Sequence, residues 1–119
     1  MLPPLDLMVM SGPFDGRIIR LNAPNNRNPE VGMGYIIGRR ESCDLALPYD
    51  RWVSGRHARL YALDGWLLED LRSTNYTYLA TAREDGTFSG RVRVEGQVPV
   101  QIGALFLIGR VWLRLQKIG

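Results

Sequence analysis

The most constraining feature of this chain is its division into short, β-like segments separated by turn-forming residues. Leu5, Leu7 and Val9 alternate with their neighbours at the two-residue period of a strand. Asp64-Gly65 stands between two apolar segments and indicates a tight hairpin. No ten-residue stretch shows the 3.6-residue period of a helix. About eleven such segments predict an all-β, two-sheet sandwich with negligible helix.

The other predicted strands are rich in β-branched, aromatic and aliphatic residues and are bounded by Gly, Pro, Asn or Asp. They cover Arg17–Leu21, Tyr35–Ile37, Leu45–Leu47, His57–Tyr61, Trp66–Glu69, Tyr76–Ala82, Thr87–Val94, Val98–Ile102, Leu105–Ile108 and Val111–Gln116. Residues 22–29 are polar and show neither periodicity, so they predict a loop.

Length and composition favour a single domain over residues 1–119 with an ordinary two-layer core. Hydrophobic residues make up 45% of the chain and charged residues 23%, which are typical globular values. There is no apolar run of about 18 residues and no signal-peptide pattern at the N-terminus. We therefore expect a cytoplasmic protein or domain with no membrane association.

Several function classes are disfavoured by the same composition. The single Cys43 excludes an internal disulfide and a multi-cysteine metal site. The net charge of +3 is mild and there is no Lys/Arg run, so a specific nucleic-acid partner is not expected. Paired catalytic carboxylates, a phosphate-binding Gly-rich loop and a Cys–His pair are also not evident. We expect no enzyme activity, no metal and no cofactor.

A spaced set of polar residues falls at predicted strand ends and loops. It comprises Gly38-Arg39, Ser54-Gly55-Arg56-His57 and Ser73-Thr74-Asn75. The set combines a planar Arg fork with short hydroxyl and amide donors, and a dianionic phosphate on a side chain requires this chemistry. Taken alone, Arg39 could be an ordinary surface arginine, and Asn75 could form an Asx turn at a strand end. The ordered combination favours a phosphate-binding site.

At these residues the chain resembles a forkhead-associated (FHA) domain, a phosphothreonine-binding β-sandwich of the SMAD/FHA-like class. The resemblance extends over nearly the whole chain, and it depends on the ordered set rather than on any single motif. The matching residues are Val9, Gly12, Gly16, Ile19, Leu21, Tyr35–Arg39, Cys43–Leu45, Ser54, His57, Asp70, Ser73–Asn75, Val98, Val100, Gly103 and Gly109.

The resemblance implies a role for each residue of the polar set. Ligand contacts are expected from Arg39, Ser54, Arg56, Thr74 and Asn75. Support of the binding loops is expected from Gly38, His57 and Ser73. His57 is expected to bond across the loops that hold Ser54 rather than to touch the ligand. Trp52 could contact ligand residues that follow the phosphothreonine.

The sequence departs from the family pattern at three places. Tyr76 stands where a Gly usually follows the motif Asn, so that loop must either differ in shape or be strained by about 1–2 kcal/mol. Gly55 stands where the family often has a side chain that touches the ligand peptide. Residues 79–97 predict an elongated hairpin that projects past the usual end of the sandwich, as a partner surface or as a tolerated insertion.

The residues and the resemblance together predict a non-catalytic adaptor that binds phosphothreonine-containing protein segments in signalling. Its partner could be a Ser/Thr protein kinase or the substrates of one. The alternative is a phosphate-independent interaction or assembly domain on the same fold, which Tyr76 and Gly55 favour. The intact Arg39, Ser54, Thr74 and Asn75 favour phosphate binding.

Overall fold

Residues 2–118 are described by a computed structural model, and they form eleven β-strands in two sheets. Within these residues the one helical element is a single 3-10 turn at Pro29–Val31. The strands, numbered in chain order, are β1 Leu5–Val9, β2 Ile18–Leu21, β3 Tyr35–Gly38, β4 Leu45–Ala46, β5 Ala58–Ala62, β6 Trp66–Asp70, β7 Thr77–Ala82, β8 Phe88–Arg93, β9 Gln97–Val100, β10 Leu105–Ile108 and β11 Val111–Gln116. The predicted all-β sandwich is confirmed.

The first sheet has the strand order β2-β1-β11-β10-β7-β8, and the second has the order β4-β3-β5-β6-β9. Neighbouring strands are antiparallel, except that β3 and β4 are parallel. The chain crosses from the second sheet to the first between β6 and β7. The residues that make this crossing include Ser73, Thr74 and Asn75.

The core lies between the two sheets and consists of the inward-facing residues of both. Its largest fully buried members include Leu7, Tyr35, Ile37, Leu60, Leu68, Phe106 and Leu113. The Tyr35 hydroxyl is not stranded in this core, because it donates to the carbonyl oxygens of Pro3 and Leu21 at 3.1 Å. The strand alternation read from the sequence thus places an apolar face inward on each sheet.

The ends of some strands differ from the sequence prediction. Ile102 lies beyond β9 in the turn that precedes β10, and it is exposed. His57 lies just before β5, and Tyr76 lies just before β7. Each of these residues is apolar or aromatic and lies within two residues of a strand, so the pattern extended the predicted strand into the loop.

The chain forms an antiparallel hairpin of β7 and β8 with a register irregularity between Thr81 and Ala82. The turn at residues 83–87 closes through the Arg83 N–H, which donates to the Thr87 carbonyl at 2.6 Å. That this hairpin is an insertion relative to the family stays a prediction. Within residues 2–118, no helix has the length and apolar character needed to cross a membrane.

Candidate functional site

Three loops leave the second sheet at the same end. The pairing register places Ala58, the first residue of β5, opposite both Ile37 near the end of β3 and Asp70 at the end of β6. Antiparallel neighbours alternate in direction, so the end of β3, the start of β5 and the end of β6 coincide. The loops that meet there comprise residues 39–44, 47–57 and 71–76.

Gly38 allows the first two of these loops to approach closely. The Arg39 N–H donates to the Ser54 carbonyl at 2.9 Å, and the Arg40 N–H donates to the Gly55 carbonyl at 3.2 Å. A Cβ at position 38 would lie 2.3 Å from the Gly55 carbonyl oxygen and 2.9 Å from the Cys43 sulfur. Only a glycine fits there without displacing backbone.

Two hydrogen bonds, each between a side chain and a main-chain group, join the second and third loops. The Thr74 N–H donates to the Ser54 hydroxyl oxygen at 3.0 Å. The Asn75 side-chain amide donates to the Trp52 carbonyl, also at 3.0 Å. Thr74 is exposed, and Ser54 and Asn75 are partly exposed, so all three remain accessible to a ligand.

His57 connects the same two loops from beneath. Its side chain is fully buried. Its Nδ1 accepts the Ser54 N–H at 3.0 Å, and its Nε2 lies 2.8 Å from the Tyr76 carbonyl oxygen. A ring that accepts at Nδ1 and faces a carbonyl at Nε2 must be the neutral tautomer protonated at Nε2. Burial lowers the pKa of His57, and the hydrogen bond to Tyr76 opposes this shift only in part.

Tyr76 adopts the left-handed backbone conformation that a glycine would adopt without cost, with φ at 65°. The loop therefore keeps the geometry expected of a Gly and carries the strain of a non-Gly residue. The His57 ring holds the Tyr76 carbonyl, which fixes this backbone in place. Tyr76 is 44% exposed, and the Arg93 guanidinium carbon lies over its ring, at 4.4 Å from the ring centre.

Ser73 is buried and shapes the third loop through Asp70. The Asp70 carboxylate accepts the Ser73 N–H, the Ser73 hydroxyl and, at 2.7 Å, the Thr77 hydroxyl. These bonds satisfy the carboxylate within its own loop and strand. The contacts of Ser73 are therefore internal.

The two predicted cations of the site differ in their environment. Arg39 is exposed, and its Nη1 makes one long contact, 3.4 Å to the Arg51 carbonyl oxygen. Among residues 2–118 no carboxylate pairs with Arg39. The Arg56 guanidinium forms an ion pair with Glu30 instead. Arg39 therefore presents its charge to solvent, whereas a contact between Arg56 and a ligand has to compete with Glu30.

Asp50 anchors the second loop against the turn between β10 and β11. Its carboxylate accepts the N–H groups of Trp52 at 3.0 Å and Arg110 at 2.7 Å, and it pairs with the Arg110 Nε at 3.2 Å. Burial acts to raise the pKa of Asp50, but these hydrogen bonds outweigh it and lower the pKa below its ordinary value. Asp50 therefore stays ionised and positions Trp52.

The structure thus brings the predicted residues of all three loops together and directs Arg56 toward Glu30. The sequence analysis missed one neighbour of the site, Arg40. Its side chain covers Gly55, since a Cβ at position 55 would lie 2.9 Å from the Arg40 Nε. The sequence shows two adjacent arginines after Gly38, but it does not show that the Arg40 side chain turns toward Gly55. Arg40 fills the space that a side chain at position 55 would take.

Comparison with known protein families agrees with this architecture. The family model described as FHA domain matches residues 35–109, which include every residue of the predicted site. This match covers more than half of the chain. The chain therefore belongs to the FHA domain family, whose members are in general phosphopeptide-binding, non-catalytic interaction modules.

Two curated relatives carry FHA domains. The FHA domain-containing protein FhaB of Mycolicibacterium smegmatis is 39% identical over 82 residues, which are 68% of this chain and 46% of FhaB. FhaB of Mycobacterium tuberculosis is 44% identical over 69 residues, which are 57% of this chain and 41% of that protein. The chain thus spans less than half the length of these relatives.

Solved structures share the fold. Mycobacterium tuberculosis EmbR, in complex with a low-affinity phosphopeptide, superposes with a TM-score of 0.71 at 21% identity, over 98% of this chain and 25% of EmbR. The FHA domain of the CT664 protein from Chlamydia trachomatis gives a TM-score of 0.69 at 21% identity, over 98% of this chain and 99% of that one. At this level of identity the similarity concerns the fold alone.

Proposed function

We propose that this chain is a non-catalytic recognition module that binds phosphothreonine-containing protein segments through its loop tips. The observation that carries the proposal is the hydrogen-bonded junction of the three loops, where Arg39 lies beside Ser54, Thr74 and Asn75. Arg39 is exposed and pairs with no carboxylate in the part of the chain that the structure describes. Membership of the FHA family supports it.

The hydrogen-bond directions at the junction suit an anionic ligand. Because the Ser54 hydroxyl accepts the Thr74 N–H, its own proton is left to donate to a phosphate oxygen. Because Asn75 uses one amide proton on Trp52, its carbonyl oxygen and second proton are left for the main chain of a peptide. Arg39 supplies a permanent charge with a planar fork of donors, which matches phosphate geometry.

In this proposal three further residues support the binding loops. Gly38 lets the first loop reach Ser54, Ser73 shapes the third loop, and His57 joins the second and third loops. We place Arg56 at the edge of the ligand, with a smaller contribution than Arg39 because of its ion pair with Glu30. The partner in this proposal is a cytoplasmic signalling protein phosphorylated on threonine, such as a Ser/Thr kinase or its substrate.

Isothermal titration tests the proposal with a phosphothreonine peptide selected from an oriented library and with its unphosphorylated counterpart. A charge-assisted bond to phosphate contributes about 1.5–3 kcal/mol. We therefore expect Arg39→Ala to weaken phosphopeptide binding by roughly ten- to more than a hundredfold. Arg83→Ala, which removes an exposed arginine from the β7–β8 turn, is the matched control and should bind normally.

The unphosphorylated peptide distinguishes the alternative function. If the phosphopeptide and its unphosphorylated form bind equally well and Arg39→Ala changes neither affinity, the domain is a phosphate-independent interaction module. If phosphorylation is required and Arg39 carries the affinity, the phosphothreonine proposal stands.

A further inference from the structure

A second cleft adjoins the residues of the proposed ligand site and extends along the first sheet. We call it the Arg-aromatic cleft, and its lining includes Trp52, Thr74, Asn75, Tyr78, Arg91 and Arg110. Its volume is about 370 Å³. Because Thr74 and Asn75 belong both to this cleft and to the proposed ligand site, a peptide held at these residues has a direct path into the cleft.

The charges that face this cleft are all positive. Arg91 and Arg110 line it, and no carboxylate from residues 2–118 does. Arg110 forms an ion pair with the buried Asp50, which partly offsets its charge. Arg91, by contrast, pairs with no acidic side chain among the described residues. Arg91 is therefore the cation of the cleft whose charge is not offset.

Aromatic rings hold these cations in place. The Arg91 guanidinium carbon lies 4.4 Å from the centre of the Tyr78 ring, and that of Arg110 lies 5.8 Å from the Trp52 ring. A guanidinium stacked on a ring keeps its N–H donors in its own plane, free for a carboxylate or a phosphoryl group. Stacking also restricts the side chain before binding, which reduces the entropy lost on binding.

We infer that the Arg-aromatic cleft selects phosphothreonine segments that carry a further anionic residue beside the phosphothreonine, with Arg91 as the residue that reads it. This inference rests on the proposed function and adds a specificity determinant to it. Because the cleft is positively charged, the group that occupies it is an acidic residue of the same phosphothreonine peptide. Either a carboxylate or a second phosphoryl group satisfies this chemistry.

Titration calorimetry with a peptide series tests the inference on the whole chain. All peptides share one phosphothreonine, and they carry Gln on both sides, Glu on the N-terminal side, or Glu on the C-terminal side. Two further peptides replace each Glu flank by phosphoserine. We expect one acidic flank, and not the other, to strengthen binding by about three- to tenfold relative to the Gln peptide. A larger gain from phosphoserine than from Glu would identify a second phosphoryl group as the better occupant.

Variants at position 91 make the assignment specific. Arg91→Gln should reduce the affinity ratio of the acidic peptide to the Gln peptide to about one, and Arg91→Glu should invert it. Arg17→Gln is the matched control, because Arg17 stacks on Phe14 in the β1–β2 hairpin, at 5.3 Å from the ring centre and outside the cleft. That variant should keep the wild-type ratio.

The outcomes separate this inference from the proposed function. Equal affinities for all flanks in a protein that requires Arg39 would overturn the inference and leave the proposed function intact. An acidic preference that persists in Arg91→Glu would also overturn it. Failure of every phosphopeptide to bind would overturn both.

Discussion

Replacing His57 with alanine should act mainly by lowering the free energy of unfolding of the domain, with weaker ligand binding as a consequence. The ring is fully buried, and its loss removes the partners of the Ser54 N–H and the Tyr76 carbonyl at once. A buried polar group that loses its partner costs about 1–3 kcal/mol. The substitution leaves a cavity beneath accessible loops, so water can partly replace the imidazole. We therefore expect the free energy of unfolding to fall by about 2–3 kcal/mol in total.

Urea and thermal unfolding would measure this loss. For a domain of this size, a loss of about 2–3 kcal/mol lowers the thermal midpoint by roughly 10 °C. Weaker phosphopeptide binding should accompany the lower stability, since the loops that hold Ser54 and Tyr76 are no longer joined. An unchanged midpoint with abolished binding would refute this reasoning and make His57 a direct ligand contact.

The pH dependence of stability gives a second, independent test of His57. Its folded-state pKa is lowered from 6.5, so below about pH 6.5 the unfolded chain binds a proton more readily than the folded chain. The stability advantage of the wild type over His57→Ala should therefore be full above pH 7 and should shrink as the pH falls below 6.5. Unfolding curves at pH 7.5 and pH 5.5 would show this, and a difference that grew toward low pH would contradict it.

Three other outcomes follow from the loop geometry. Gly38→Ala should destabilise the domain by about 1–3 kcal/mol in urea unfolding, because the added carbon meets the Gly55 carbonyl at 2.3 Å; unchanged stability would mean that the loops separate freely. Tyr76→Gly should be more stable than Tyr76→Ala by about 1 kcal/mol in the same assay, because only glycine adopts a φ of 65° without strain; equal stabilities would show that the conformation is not strained. A phosphothreonine peptide should bind about fourfold more tightly than its phosphoserine form in calorimetry, if the domain buries the threonine methyl group, since a buried methyl contributes about 0.8 kcal/mol; equal affinities would mean that the domain does not bury this methyl group.

The sheet architecture was readable from the sequence because each strand has its own local pattern. The predictions for Leu105–Ile108 and Val111–Gln116 match β10 and β11 residue for residue. Ile102 misled the prediction for β9, because an isolated apolar residue in a turn resembles the end of a strand. Periodicity describes which side chains can be buried, but it does not fix where the backbone turns.

The site was readable as a set of residue types and not as a set of contacts. The partner of Arg56 is Glu30, which lies in a 3-10 turn that carries no motif. The partner of the His57 Nε2 is a backbone carbonyl, which no side-chain pattern can reveal. Likewise, the stacking of Arg91 on Tyr78 depends on the antiparallel pairing of β7 and β8, in which Tyr78 faces Arg93 and Ala80 faces Arg91. These contacts depend on which loops and strands become neighbours in the folded chain.

The most direct test of phosphothreonine recognition is a nuclear magnetic resonance titration of the ¹⁵N-labelled domain with matched phosphorylated and unphosphorylated peptides. We predict that only the phosphorylated peptide shifts the backbone amides, with the largest changes at Arg39, Ser54, Thr74 and Asn75. Equal shifts from both peptides, or changes centred on β2 at the far edge of the first sheet, would contradict the account.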